Sequence, residues 1–326
     1  MKLARLLTIF LICPTAFAAP RTFVSALTGA DTNPCSRSAP CRSFQTAVGA
    51  TDVTGEVVAL DTGGYGPMNL TYAISIIAPS GVQAGITGLT GNAITVSSGI
   101  GTVILKNLSI NNVGADVGIY VTAVRQLHVE GCTISGFSEG ILFNPTDSGF
   151  PPRLYVKNSE IRRSAIGIYI LPSTAQAFLE SVQLYGNDSG VEISSAEITI
   201  RKSVANGPGT YGFRAESNSK WTVEDTLASG NLIGFFANAN AIVFLNRCQA
   251  IGNSTAGIKS QFGSSIFVSD STITANATGV SAVSNGAVLT RCTDVIATPP
   301  CPAGHFSNTL IANTTNGAFS ASYSSN

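Results

Sequence analysis

Eight side chains, each two places after the glycine of a glycine–apolar pair, could grip a ligand if one surface gathers them: Tyr120, Leu142, Tyr169, Glu192, Arg214, Phe236, Lys259 and Ser281. Two tyrosines flank Leu142 and its neighbour Phe143, and Glu192 then falls beside Arg214. Aromatic rings stack on the apolar faces of sugars, while a carboxylate and a guanidinium supply directional hydrogen bonds. Tyr120, Phe143, Tyr169, Glu192, Arg214 and Phe236 are therefore the candidate ligand face. The one long interval in the series inserts NPTDSGFPPR (144–153) just after Phe143, and functional loops are often such insertions on a rigid scaffold. The plainer alternative is that the aromatics only cover a surface or pack under this loop.

Other chemistry has less support. His128 and His305 are the only histidines; Glu130 lies near His128, but no paired carboxylates accompany it. The DSG triplets at 147–149 and 188–190 lack a paired base and are common turn sequences. No zinc spacing occurs, and no metal or cofactor is expected. Eighteen basic residues balance eighteen acidic ones, which leaves no electrostatic footprint for nucleic acid.

What must position the candidate face is a repeat. The pairs begin at Gly118, Gly140, Gly167, Gly190, Gly212, Gly234, Gly257 and Gly279, at intervals of 22, 27, 23, 22, 22, 23 and 22 residues. Such a period means a solenoid; a propeller blade needs roughly 40 residues. Between the glycines run segments such as LYVKNSEI (154–161), WTVEDTLA (221–228) and IFVSDSTI (266–273), apolar at every second place on either side of a polar pair. Period two means short strands, bent at the polar pair. About 22 residues hold three short strands and three turns, one coil of a single-stranded parallel β-helix. Gly and β-branched residues abound and helix formers are few, so the class is all-β.

Two columns set the register. The first members of successive polar pairs, Lys106, Glu130, Lys157, Glu180, Arg201 and Glu224, alternate in sign; so do the second members Lys202, Asp225, Arg247, Asp270 and Arg291. Coils about 4.8 Å apart would set each charge against opposites. Asn187, Asn231, Asn253 and Asn276 should stack at one turn, broken at Pro208, with Asn and Gly accepting its left-handed backbone.

The division expected is a signal peptide over 1–18, an N-terminal cap with a short helix over 19–54, coils over 55–295, and a polar C-terminal cap or tail over 296–326. The first eighteen residues have a basic start, a short apolar run and an Ala16-Phe17-Ala18 cleavage site. No later run is long and apolar enough to cross a bilayer. The mature chain is expected to be secreted or periplasmic, where a Cys35–Cys41 disulfide across SRSAP would persist. Cys132, Cys248 and Cys292 fall in one inward column. Cys248 and Cys292 are two coils, about 9.6 Å, apart, beyond the roughly 7 Å limit for a bridge; Cys292 could instead pair with Cys301.

With NPCSRSAPCRSFQTAV, then GEVVALDTGGYG, then coils from about 55 to 295, the chain resembles extracytoplasmic right-handed parallel β-helix proteins of the pectin-lyase-like group. The resemblance implies right-handedness and a cap helix. It includes pectate lyases, polygalacturonases, alginate epimerases and phage spikes, whose sites are grafted on separately. It would lead one to look for clustered carboxylates beside an Arg base, paired Asp near a His, or Asp-Pro-His-Glu; the last is absent, and the alternating charges do not gather carboxylates. The expected function is a glycan-binding or structural, adhesin-like protein whose partner is an extracellular polysaccharide or cell-surface glycan. The alternative is a polysaccharide-active lyase or hydrolase using an atypical site on the β-helix face.

Overall fold

The computed structural model describes residues 18–146, 149–291, 308–311, 313–315 and 317–323; residues 1–17, on which the expected signal peptide falls, His305 and both Cys292 and Cys301 lie outside them. Three parallel sheets of 13, 11 and 10 strands run the length of the solenoid, with each strand pairing to its counterpart one coil away. Each coil gives one strand to each sheet in turn: for example Arg153–Lys157, Glu160–Arg162 and Ile166–Ile170. They are called the first, second and third sheets here.

The bend between the first and second sheets falls at the polar pair. Its second member adopts a left-handed backbone on successive coils, from Asn107 (φ 57°) through Asp225 (φ 51°) to Asp270 (φ 49°). The charge register holds. Glu130 pairs with Lys106 and Lys157, and Arg201 with Glu180 and Glu224. Ion pairs form at Lys157–Glu180 (2.9 Å), Arg201–Glu224 (3.0 Å) and Asp225–Arg247 (2.7 Å).

At the next bend the buried amides of Asn231, Asn253 and Asn276 run along the axis. Asn253 Nδ2 donates to Asn276 Oδ1 at 2.8 Å, and Asn313 extends the ladder at 2.9 Å. The left-handed residue there is not the asparagine, as the sequence suggests, but the residue before it: Gly186, Gly230, Gly252 and Ala275. The asparagine uses its side chain; its predecessor turns the chain.

The periodic glycines have a different reason. None from Gly118 to Gly279 has a positive φ. A Cβ on Gly190 would lie 2.4 Å from the carbonyl oxygen of Gly212, and one on Gly212 2.7 Å from that of Gly234. Adjacent coils approach backbone to backbone at this column, and only a missing side chain permits it.

The core is a single apolar column bounded at its start by the helix Phe44–Gly49, which Ser43 caps and which buries Phe44, Ala47 and Val48. Cys35 and Cys41 are disulfide-bonded beside it. The strand Ala19–Val24 adds to the first sheet ahead of the helix, and Thr309–Ile311 and Ala321–Tyr323 extend the second and first sheets past residue 295. Cys132 and Cys248 are buried and unpaired in the inward column, and burial pushes each thiol up to about 12.

Candidate functional site

The third sheet carries the candidate face. Parallel pairing stacks Tyr120 on Leu142, Leu142 on Tyr169, Tyr169 on Glu192, Glu192 on Arg214, and Arg214 on Phe236. The column exists because Ile119, Ile141, Ile168, Val191 and Phe213 point into the core, and alternation sends the next residue outward.

Two of the six sequence candidates sit differently. Phe143 is fully buried and pairs with Val121 and Ile170, so it is a core residue. It immediately follows Leu142, and adjacent strand residues cannot both face outward. Phe236 lies on the outward column but is only 4% exposed, its ring stacked on Tyr211 with centroids 5.0 Å apart. It shapes the surface from beneath. Tyr120, Tyr169, Glu192 and Arg214 remain partly accessible.

The centre of the face is a charge cluster. Arg214 lies 3.3 Å from Glu192 on the preceding coil and gives two nitrogens, each at 2.7 Å, to one oxygen of Glu216 on its own strand. Its guanidinium also covers the Tyr211 ring, 4.8 Å from the centroid. Asn238 donates to both oxygens of Glu216, and Gln261 donates to Asn238. Glu216, Tyr211, Asn238 and Gln261 were not among the sequence candidates. Glu216 was findable, since it stands two places past Arg214 and alternation puts it on the same side.

The electrostatics follow from half-burial. Burial raises the Glu192 carboxyl above its ordinary range, with Glu216 adding to the rise and Arg214 opposing it. The Tyr169 phenol is raised by burial and then by Glu192. Burial works against the Arg214 cation, but Glu192 and Glu216 outweigh it and hold the guanidinium protonated. One cation between two carboxylates leaves the cluster with a net negative charge.

A cavity of about 510 Å³ lies at the ends of the strands that carry Leu142 and Tyr169, lined by Asn144, Pro145, Phe150, Leu171 and Pro172. The long insertion thus borders the face. Elsewhere, His128 stacks on Tyr155 (4.5 Å) and lies 4.0 Å from Glu130; burial lowers its imidazole, with Glu130 opposing. Among the described residues no group of three or more His, Cys, Asp and Glu side chains is placed to hold a metal ion, and no helix is long and apolar enough to cross a membrane.

A family model described as "Right handed beta helix region" matches residues 139–295. The chain folds as a right-handed parallel β-helix. Among solved structures, this β-helix protein is similar to pectate lyase Pel9A, at 16% identity and a TM-score of 0.62, over 93% of this chain and 82% of the other. It is also similar to the enzymatically active domain of tailspike protein 2 from bacteriophage CBA120, at 12% identity and a TM-score of 0.55, over 76% of this chain and 44% of that one. The periplasmic alginate epimerase AlgG is similar at 13% identity and a TM-score of 0.50, over 83% and 75% of the two chains. No curated protein matches the sequence of this β-helix protein. At such identities the likeness is one of fold.

Proposed function

We propose that this protein is a glycan-binding β-helix of the cell exterior, and that the third-sheet face takes a neutral glycan. The observation that carries the reading is the Tyr169–Glu192–Arg214–Glu216 cluster, where a half-buried ring borders fixed hydrogen-bonding groups. A sugar ring can lay its apolar face on Tyr169 and its hydroxyls on the carboxylates. The neighbours named for pectate and alginate support a polysaccharide partner. Those are acidic polymers, and here the charge argues for another class. Arg214 is already engaged by two carboxylates, and the net negative cluster repels an acidic sugar.

The same geometry weakens the alternative of a lyase that uses Arg214 as its base. An arginine acting as a base must give up its proton, and Glu192 and Glu216 hold it on. The Cys35–Cys41 disulfide supports export, together with the signal-like first eighteen residues; amino-terminal sequencing of exported protein should begin at Ala19.

Two measurements test the reading together: binding to a glycan array that spans neutral and uronic polymers, and reducing-end and unsaturated-product assays on the same panel. The expected result is binding to neutral glycans with no product formed. Turnover of any polymer that Tyr169→Phe or Arg214→Lys abolishes would establish the enzymatic alternative instead.

A further inference from the structure

The outward column of the first sheet carries two aromatic stacks. His128, Tyr155 and Phe178 stack on successive coils with centroids 4.5 and 5.1 Å apart and planes within 11° of parallel. Further along, Phe244 and Phe267 stack at 4.8 Å. Between the stacks the column holds only Thr199 and Thr222, since Phe178 pairs with Thr199, Thr199 with Thr222, and Thr222 with Phe244.

Near-parallel rings at the coil spacing turn their faces along the solenoid axis. The end rings, Phe178 and Phe244, therefore present ring faces to each other over the threonines, about 14 Å apart at three coil steps. They are 40% and 45% exposed. The space between is a groove of about 360 Å³, within the range of small-ligand sites. Along its rim stand Gln176, Glu197 and Lys220 on consecutive coils, with Glu197 and Lys220 3.8 Å apart.

We propose that this slot is a second carbohydrate-binding site, which stacks neutral sugar units on the facing rings of Phe178 and Phe244. A ladder that served stability alone would continue its stack. Here two small hydroxyl side chains interrupt it and leave two large ring faces in water, the arrangement that favours a ligand with flat apolar faces. The floor and rim add hydroxyls, an amide, a carboxylate and an ammonium. An apolar peptide docked there would strip these groups of water without replacing its hydrogen bonds. A pyranose offers C–H faces to the rings and hydroxyl edges to the polar groups. Glu197 and Lys220 cancel in charge, so nothing in the slot selects an acidic sugar. The site lies on a different sheet from the Tyr169–Arg214 cluster and stands or falls separately from it.

The test fills the slot. Thr199→Phe continues the stack from Phe178 and should leave melting temperature unchanged or raised. Titration calorimetry of the full chain with hydroxyethylcellulose, galactomannan, arabinoxylan and polygalacturonate is run in a Tyr169→Ala, Arg214→Ala background, which removes the ring and the cation of the third-sheet cluster. The expected result is binding of at least one neutral polymer, stronger than that of polygalacturonate, weakened tenfold or more by Thr199→Phe. Phe178→Leu, which keeps apolar volume but removes the ring face, should weaken it to the same degree with unchanged circular dichroism. Absence of binding to every neutral polymer in the Tyr169→Ala, Arg214→Ala background, tighter binding of polygalacturonate, or binding within twofold after both slot substitutions would overturn the proposal.

Discussion

Arg214 places two of its nitrogens 2.7 Å from a single oxygen of Glu216. With Glu192 on its other side at 3.3 Å, it is the one cation between two half-buried carboxylates. Removing it in Arg214→Ala should cost on the order of 1–2 kcal/mol, below the 3–5 kcal/mol of a fully buried pair because water partly screens the cluster. The loss should depend on pH. Glu192 is raised in the folded state by burial and then by Glu216, so its contribution is present below the unfolded pKa and lost as pH rises through the folded one. Without Arg214 it should rise further. Urea titrations should find the deficit of the variant larger at about pH 7.5 than at about pH 4.

The charge ladder predicts a salt effect of opposite sign to ordinary screening. Glu224→Lys sets a like charge on Arg201, now 3.0 Å from a carboxylate. The melting temperature should fall by an amount corresponding to about 0.2–1 kcal/mol and recover partly in high salt. In the same ladder a hydrogen bond from Lys157, then its charge, holds the Glu180 carboxyl below its ordinary range. Stability from that pair is present above the unfolded carboxylate pKa and lost as pH falls through the folded one. Lys157→Met should therefore differ from wild type near neutrality and converge with it in acid.

Much of this register was legible because a charge that alternates every coil has no other simple arrangement. The outward column was legible for the same reason, and Glu216 follows from it by counting two. Phe143 departs from the sequence expectation because alternation along the strand turns it inward, away from the outward patch its neighbour Leu142 occupies. The glycine period is legible in the sequence but its cause is not: a left-handed turn and a backbone contact both demand glycine, and only the neighbouring coil distinguishes them. His128, Tyr155, Phe178, Phe244 and Phe267 each stand mid-strand in the repeats, but a stack with a gap becomes visible only once coils are superposed.

The glycine contact has its own consequence. Gly190→Ala puts a methyl 2.4 Å from the Gly212 carbonyl oxygen, which has no room to move without parting the coils. Overpacking of this kind costs about 1–3 kcal/mol. Urea unfolding should show it, whereas alanine at Gly64, where a Cβ meets nothing within 4 Å, should change the midpoint little.

In the amide ladder, Asn253→Ala removes the acceptor for the Asn231 N–H and the donors to Ala228 and Asn276. Each buried group left unpaired costs about 1–3 kcal/mol. Chemical denaturation should place this variant among the least stable single substitutions in the solenoid.

The cysteines can be counted. Cys132 and Cys248 are buried, with thiols pushed up to about 12, so both should resist a thiol reagent in the folded protein and react on denaturation. Cys35 and Cys41 should appear only after reduction. A peptide map with Cys132 joined to Cys248 would contradict the column assignment.

The most direct test of the central claim is a glycan array probed with the Thr199→Phe protein, whose first-sheet slot is filled, and with the same protein carrying Tyr169→Ala and Arg214→Ala. The account predicts that the first binds neutral glycans and that the second loses that binding tenfold or more. No glycan bound by the first protein, or equal binding by both, would contradict it.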